Sequence, residues 1–196
     1  MKRFYSQKYK KNVIMLRAGD YYTSNNGEIL HTILGSCIAA CIYDQEKKIG
    51  GMNHYLLPGM IHPDEIITSE VGRYGMYAME LLINELIKCG AKRENLAAKV
   101  FGGGNVLEFR KTDGDVTGSN IKFAKKFFEL EGIPVQKEDM GGNNGRKILF
   151  FTDTARVLLK RFDMKKDLKT FNEEKFYKSQ VFRRREARPA SSMILF

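Results

Sequence analysis

The sequence predicts a layered α/β or α+β domain, because many short apolar runs bounded by glycine and polar turns accompany two longer segments with helical spacing. The chain has 196 residues, 43% of them hydrophobic, which is enough to bury a substantial core. No apolar run approaches the roughly 18 residues that span a bilayer, and no secretory apolar segment follows the basic N-terminus. We therefore expect a cytoplasmic protein with no transmembrane segment, in which the three cysteines are thiols.

The N-terminal half of the chain contains the patterns of four strands, two of which form a predicted hairpin. Two apolar runs flank the polar, turn-like segment 44–48. A turn centred between Gln45 and Glu46 would place Cys37 opposite His54, with both side chains on one face of the sheet. Because Gln-Glu is a poor two-residue turn, a loop of four or five residues is the alternative. The predicted strands of this half span residues 13–18, 28–34, 38–43 and 50–57.

The C-terminal half of the chain contains the two predicted helices. The first follows Ser69, a suitable N-cap, and ends at Gly90; the second begins near Asn120 and ends at Gly132. Apolar residues at helical spacing give each helix one face that can cover a sheet. Strands are predicted over residues 97–101 and 135–139, with a final hairpin over residues 147–152 and 155–162.

The formal charge of +10 lies mostly at the two ends of the chain. Residues 1–12 carry +5 and residues 163–196 carry +4, which leaves +1 for residues 13–162. We therefore divide the chain into a basic N-terminal extension (1–12), a central globular domain (13–162) and a basic C-terminal tail (163–196). Solvated ends explain this charge better than contact with an acidic partner or with lipid headgroups, and no nucleic-acid binding is expected.

A cysteine and a histidine form the candidate catalytic pair. Cys37 follows a glycine–serine turn and opens an apolar run, and His54 lies in the facing run. We expect a thiolate–imidazolium pair in which the thiolate attacks a carbonyl carbon and the ring protonates the leaving amine. Thr32 or His31, on the preceding strand, is expected to orient the ring. The backbone N–H groups of Ser36 and Cys37 are suited to bind the oxyanion.

Structural roles compete with this interpretation. Taken alone, Cys37 is more often a buried thiol and His54 a core histidine; the turn before the cysteine and the spacing between the two residues favour function. A metal site that combines both residues with Cys41 and His62 is not expected. The spacing fits no compact zinc motif, and an extended strand separates the two thiols.

Two glycine stretches, at residues 102–104 and 141–142, are interpreted as sharp turns at strand ends. They lack the pattern of a P-loop and of a dinucleotide-binding turn, so no cofactor is expected. Three consecutive glycines still permit close approach of a substrate to the backbone, which makes Gly103 a candidate to line a cleft.

Four blocks of the sequence resemble the CheD family of chemoreceptor glutamine deamidases. The blocks occur in the family's order and together cover roughly residues 13–162. The first two are specific in combination, whereas the two glycine blocks alone are not. The blocks are Thr32-x-Leu34-Gly35-Ser36-Cys37, Gly50-Gly51-Met52-Asn53-His54-x-Leu56-Leu57-Pro58, Phe101-Gly102-Gly103-Gly104 and Asp139-x-Gly141-Gly142.

The resemblance implies a protein-glutamine deamidase that acts in chemotaxis adaptation. It would hydrolyse the side-chain amides of chemoreceptor glutamines to glutamate through a cysteine thioester and release ammonia. Cys37 would be the nucleophile and His54 the general acid and base. Thr32 would orient the ring, with His31 as the alternative. The candidates to bind the oxyanion or to line the substrate site are Ser36, Asn53 and Gly103.

The resemblance also implies a fold and partners. The expected fold is a layered α/β sandwich similar to that of bacterial deamidating toxins, with mixed or antiparallel sheets covered by the two main helices. Besides the cytoplasmic domains of chemoreceptors, a CheC-type phosphatase is an expected partner. The alternative function is a non-catalytic module that binds such a phosphatase or a receptor. Hydrolysis of receptor methyl esters is left open.

Overall fold

A computed structural model describes residues 1–57, 59, 65, 69–106, 115–163, 172 and 176. This part of the chain forms ten strands and two α-helices, with a short 3-10 turn at Arg93–Asn95. In chain order the elements are β1 (Lys2–Ser6), β2 (Lys11–Met15), β3 (Tyr21–Ser24), β4 (Ile29–Leu34), β5 (Ile38–Asp44), β6 (Ile49–Tyr55), α1 (Glu70–Lys88), β7 (Leu96–Gly102), α2 (Val116–Glu131), β8 (Val135–Met140), β9 (Gly145–Phe151) and β10 (Val157–Phe162).

The strands form two five-stranded sheets. The first sheet has the order β1-β2-β4-β9-β10 and the second has the order β3-β6-β5-β7-β8. Most neighbouring strands are antiparallel, but β2 runs parallel to β4 and β7 runs parallel to β8. The result is an α+β sandwich of mixed sheets and two helices, which confirms the predicted fold class.

The second sheet is the middle of three layers. Its central strand, β5, is buried along its whole length because its two faces belong to different cores. Ile42 lies in a core that includes Leu82 of α1 and Phe127 of α2. Cys41, the preceding residue, lies in a core that includes Leu30 of the first sheet. Both faces are therefore covered, which explains why β5 is apolar without alternation.

β5 and β6 form the predicted hairpin, but in a different register. Ala39, not Cys37, pairs with His54. The turn contains four residues, 45–48, and the Asp44 carboxylate accepts a backbone N–H within it. The longer turn moves the pairing by two residues from the predicted register. Because this number is even, Cys37 stays on the same face as His54.

Residues 1–12, which the sequence sets apart as an extension, form part of the first sheet. β1 pairs antiparallel with β2 over its whole length. Basic side chains of the segment are bound to acidic groups of the body: Arg3 lies 3.2 Å from Glu28, and Lys11 lies 2.6 Å from Asp153. The charge of this segment is therefore carried on the sheet itself.

The strand β3, Tyr21–Ser24, is also not predicted from the sequence.

The two helices lie close to their predicted positions. α1 begins after Ser69, whose side chain accepts the N–H of Gly72, as expected for its N-cap. α2 begins earlier than predicted, because Asp115 and not Asn120 caps it. Asn120 lies inside the helix, fully buried, where its side-chain oxygen accepts the N–H of Leu57. This residue therefore joins α2 to the chain that leaves β6.

The C-terminal strands agree with the prediction, since β9 and β10 form an antiparallel hairpin. Of the predicted tail, residues 163–196, the structure describes only residues 163, 172 and 176. Among the described residues, neither helix is long and apolar enough to span a membrane.

Several strand ends meet at one edge of the sandwich, around the turn between β4 and β5. Two glycine N–H groups that follow β7 donate to carbonyls of this turn: Gly103 to Cys37 at 2.8 Å, and Gly104 to Gly35 at 2.6 Å. Gly102 makes this approach possible. Its φ of +119° is in the region that favours glycine, and a Cβ there would lie only 2.1 Å from the Cys37 carbonyl oxygen.

Replacing Gly102 with alanine should therefore destabilise the fold by on the order of 3 kcal/mol, from backbone strain together with a clash against main chain. Urea unfolding of the purified variant measures this change. Gly132→Ala is the matched control, because Gly132 also has a positive φ but has no atom within 4 Å of an added Cβ. It should lose only about 1 kcal/mol. Equal losses in the two variants would contradict the assigned close approach.

Candidate active site

A chain of hydrogen bonds crosses between the two sheets and ends at His54. Thr32, in β4 of the first sheet, lies 2.8 Å from the ring of His54 in β6, measured from Oγ1 to Nδ1. The Thr32 hydroxyl donates to the carbonyl oxygen of Leu16 at 2.9 Å. A hydroxyl has one proton, so Thr32 cannot also donate to the ring. His54 Nδ1–H must therefore donate to Thr32.

This assignment determines which nitrogen of His54 is basic. With the proton on Nδ1, the neutral ring keeps its lone pair on Nε2. Nε2 is buried, and the described residues provide no hydrogen-bond partner for it. Burial lowers the pKa of His54 to about 3. Burial therefore favours the neutral ring, in which Nε2 is the basic nitrogen.

Strand parity separates Thr32 from His31. Successive residues of a strand face opposite sides of the sheet, so His31 points to the outer face of the first sheet, away from His54. It is 4% exposed, and its pKa is lowered to about 4 by burial and by the charge of Lys147. The residue in contact with the His54 ring is Thr32.

The segment that follows β2 also holds the main chain of His54. The N–H of Gly19 donates to the His54 carbonyl at 2.7 Å, and the His54 N–H donates to the Asp20 carbonyl at 2.9 Å. The Leu16 carbonyl belongs to the same segment. One short stretch of backbone therefore fixes both the position of His54 in the sheet and the orientation of its ring.

Cys37 lies directly before β5, with its side chain on the face that includes Ala39 and the His54 ring. It is 1% exposed. Its carbonyl and that of Gly35 both accept hydrogen bonds from the glycine stretch that follows β7. Ser36, between them, is fully buried. The nucleophile candidate therefore sits in a turn whose backbone is anchored on both sides.

Two of the predicted substrate-lining residues have other roles. Asn53 faces α1: its side-chain oxygen accepts the N–H of Ala40, and its amide nitrogen donates to the Ala78 carbonyl. Gly103 uses its N–H on the Cys37 carbonyl, and a Cβ there would meet Ile121 of α2. These contacts engage the side-chain amide of Asn53 and the backbone N–H of Gly103 within the fold.

Two structural features near the candidate site are not signalled by the sequence. The Leu16 carbonyl is a backbone atom, so no residue type signals its role. Arg146 is 3% exposed at the start of β9 and forms an ion pair with Asp139. Burial alone would raise the pKa of Asp139, but hydrogen bonds from Arg161 and Arg146 hold it below the usual value. Because Arg146 stands next to Lys147 at the start of an apolar run, the sequence does not signal its burial.

The remaining thiols do not join the site. Cys41 is fully buried, and burial raises the pKa of its thiol. Cys89 lies 3.4 Å from the hydroxyl of Thr23, in contact with β3. His62, part of the metal alternative, lies outside the described residues. Within the part of the chain that is described, His, Cys, Asp and Glu form no group of three that could hold a metal ion.

Comparison with known proteins gives one consistent family. The family model CheD, described as CheD chemotactic sensory transduction, matches residues 56–161. A protein of Saccharophagus degradans named "Probable chemoreceptor glutamine deamidase CheD" is 40% identical over 179 residues, which cover 89% of this chain and 82% of that protein. A protein of Thiobacillus denitrificans with the same name is 41% identical over 179 residues, covering 91% of this chain and 88% of its own.

These matches extend well beyond the region of the family model. Because these matches cover 89% or more of this chain, they include the segment that carries Thr32, Cys37 and His54. A protein of Laribacter hongkongensis, also given that name, is 36% identical over 180 residues and covers 92% of this chain. The resemblance carried by the four sequence blocks is confirmed. The chain belongs to the CheD family.

Proposed function

We propose that this chain is a chemoreceptor glutamine deamidase, an amide hydrolase that converts receptor glutamine side chains to glutamate and releases ammonia. Its relatives bear that activity in their names. The observation that carries the proposal is the chain of hydrogen bonds from the Leu16 carbonyl through Thr32 to His54. It leaves Nε2 as an unprotonated base on the face that Cys37 shares.

In the first half of the reaction, His54 Nε2 removes the proton from the Cys37 thiol. The thiolate attacks the amide carbon of the substrate glutamine, so a C–S bond forms and the carbonyl electron pair moves to oxygen. The imidazolium then gives its proton to the amide nitrogen. The C–N bond breaks, ammonia leaves, and a thioester remains on Cys37.

In the second half, the same ring activates water. Nε2 takes one proton from the water molecule, and the oxygen attacks the thioester carbon. The C–S bond breaks, the sulfur recovers its proton from the imidazolium, and glutamate is released. Throughout, the ring stays oriented because Nδ1–H donates to Thr32 and Thr32 donates to the Leu16 carbonyl.

The backbone of the turn supports a role for Ser36 in binding the oxyanion. In a trans peptide the carbonyl and the following N–H point in opposite directions. The Gly35 carbonyl accepts from Gly104, so the N–H of Ser36 is directed away from the glycine stretch. A backbone donor at a turn is suited to stabilise the charge that develops on the substrate oxygen.

The proposal includes a cellular setting and a partner. The substrate would be the cytoplasmic domain of a chemoreceptor, which places the protein in the cytoplasm, and a CheC-type phosphatase would be a regulatory partner. The catalytic unit would comprise residues 13–162 together with β1. The same thioester can form from a receptor methyl ester with methanol as the leaving group. The alternative is a non-catalytic module that binds the receptor or the phosphatase.

The decisive experiment incubates the protein with cytoplasmic fragments of chemoreceptors and follows the mass change of glutamine to glutamate in their peptides. Wild type should convert specific glutamines, and Cys37→Ala should convert none. Cys41→Ala is the matched control, since Cys41 is a core thiol, and should retain activity. If Cys37→Ala deamidates as fast as wild type, the mechanism is wrong. Binding without conversion by wild type would instead favour the non-catalytic module.

Replacing Thr32 with valine, which has nearly the same shape, should lower kcat by roughly 10²-fold with little change in KM. The substitution removes the acceptor of the Nδ1–H hydrogen bond, so the proton of the neutral His54 ring is no longer held on Nδ1. Thr32→Ser keeps the hydroxyl and should retain activity within the same order of magnitude. Steady-state ammonia release measures both variants. Similar kcat values for the valine and serine variants would refute the orienting role.

The two buried histidines should make stability fall as the pH decreases below 6.5. Burial lowers the pKa of His54 to about 3, and burial and Lys147 lower that of His31 to about 4. The unfolded state therefore binds protons between pH 6.5 and 4 that the folded state does not. The contribution of the two neutral rings to the free energy of unfolding is fully present above pH 6.5. It should fall by up to roughly 3 kcal/mol by pH 5.

Urea unfolding at a series of pH values measures this dependence. His31→Leu removes one of the two rings and should make the decline shallower. A free energy of unfolding that stays constant between pH 7 and pH 5 would contradict the burial of neutral rings. In the same range, kcat/KM should show no inflection near 6.5 from His54, because its Nε2 remains unprotonated.

A further inference from the structure

Arg146 is a buried cation with no part in the proton transfers described above. It lies beside Leu34, the residue that leads into the nucleophile turn. A buried charge is costly unless it is paired and fully hydrogen-bonded. Arg146 is paired: Nε lies 2.9 Å and Nη2 lies 2.8 Å from one oxygen of Asp139. Two further contacts of the guanidinium are with main-chain carbonyls.

Those carbonyls belong to the loop between β8 and β9. Nη1 donates to the Asn144 carbonyl at 2.9 Å, and Nη2 donates to the Gly141 carbonyl at 2.5 Å. Gly141 has a φ of +82°, in the region that favours glycine. The guanidinium therefore holds the loop at both of its ends.

The loop is in turn hydrogen-bonded to the glycine stretch that follows β7. The N–H of Gly141 donates to the Gly102 carbonyl at 3.0 Å, and the N–H of Asn105 donates to the Gly142 carbonyl at 2.7 Å. Arg146 also approaches this stretch directly. A Cβ built on Gly104 would lie 3.1 Å from Arg146 Nη1.

The glycine stretch makes the last connection, to the nucleophile turn. Gly103 and Gly104 donate to the carbonyls on either side of Ser36, those of Cys37 and Gly35. The same built Cβ on Gly104 would lie 3.3 Å from the Gly35 carbonyl oxygen. The guanidinium of Arg146 and the carbonyl of Gly35 therefore both pack against Gly104.

We propose that Arg146 is a positioning residue for the nucleophile turn. It acts through the loop at 141–144 and through the glycine stretch at 102–104 with the adjoining Asn105. The inference rests on the proposed deamidase function. By fixing the carbonyls of Gly35 and Cys37, this arrangement sets the direction of the Ser36 N–H and of the Cys37 side chain. Donors held in fixed directions act chiefly on the transition state, in which charge develops on the substrate oxygen.

Arginine is required here because its donors are planar and divergent. The guanidinium serves a carboxylate and two carbonyls at the same time, whereas the ammonium of lysine is a point charge on a flexible chain. Arg146→Lys should therefore preserve the charge and lose the geometry. We expect kcat to fall by about tenfold or more, with KM within about twofold, which is the pattern of an interaction made in the transition state.

The matched control is Arg161→Gln. Arg161 binds the other oxygen of Asp139 at 2.6 Å, but its side chain is 60% exposed. It should keep kcat within about twofold of wild type, since an exposed pair contributes little. A loss of kcat equal to that of Arg146→Lys would overturn the proposal, because Asp139 pairing alone would then explain both variants.

A second measurement does not depend on activity. Amide hydrogen exchange of the folded protein should accelerate by about tenfold or more at Gly103 and Gly104 in Arg146→Lys, while amides in the centre of β5 keep their wild-type rates. Uniform acceleration along the chain would show a general loss of stability and overturn the proposal. Unchanged exchange at both glycines would overturn it as well.

The two measurements separate this inference from the proposed function. If wild type deamidates no receptor fragment, the function fails, and hydrogen exchange still tests the support of the turn. If Arg146→Lys does not fold, Asp139→Asn is the second variant, since it weakens the guanidinium pair while keeping the shape. It should give the same local exchange pattern to a smaller extent, and wild-type rates at Gly103 and Gly104 would refute the proposal.

Discussion

The hydrogen bond between Thr32 and His54 is the constraint on which the site depends. Its two residues belong to different sheets, so it forms only when the sheets are packed at the right separation. That separation is set by the core between them, which includes Leu34 and Phe150. A side chain of the wrong size in this core would change the distance between hydroxyl and ring. The packing of this core therefore also determines the orientation of the His54 ring.

The other half of the site is built from backbone, and this explains its glycines. At Gly102 a side chain would overlap the Cys37 carbonyl, and at Gly104 it would press against the Asn144 carbonyl, 2.5 Å from a built Cβ. Main chain packs directly on main chain at both points. The turn that carries Cys37, the proposed nucleophile, is thus held by backbone amides, which do not change rotamer, whereas the ring of His54, the proposed base, is held by a side chain.

The sequence predicts the part of this site that depends on patterns. The fold class, both helices and the hairpin follow from apolar periodicity, and parity put Cys37 and His54 on one face even though the turn length shifted the register. Pattern alone did not separate Thr32 from its neighbour, because the inner face of β4 is known only once the sheets are paired. The contacts of Asn53 with α1 and of Gly103 with the Cys37 carbonyl could not be predicted, because residue type does not reveal which groups an amide will bind. The edge strand β1 was missed because its basic side chains resemble a solvated end.

The pairing of β4 between β2 and β9 has a consequence during synthesis. The residues proposed for the chemistry have all been translated once residue 54 is added, but β9, the second neighbour of the strand that carries Thr32, begins only at Gly145. Until then β4 has one free edge, and the glycine stretch and loop that hold the Cys37 turn are absent. A nascent chain therefore carries the thiol and the imidazole without the architecture that aligns them. The arrangement that aligns the proposed catalytic residues is therefore complete only after almost the whole domain has been translated.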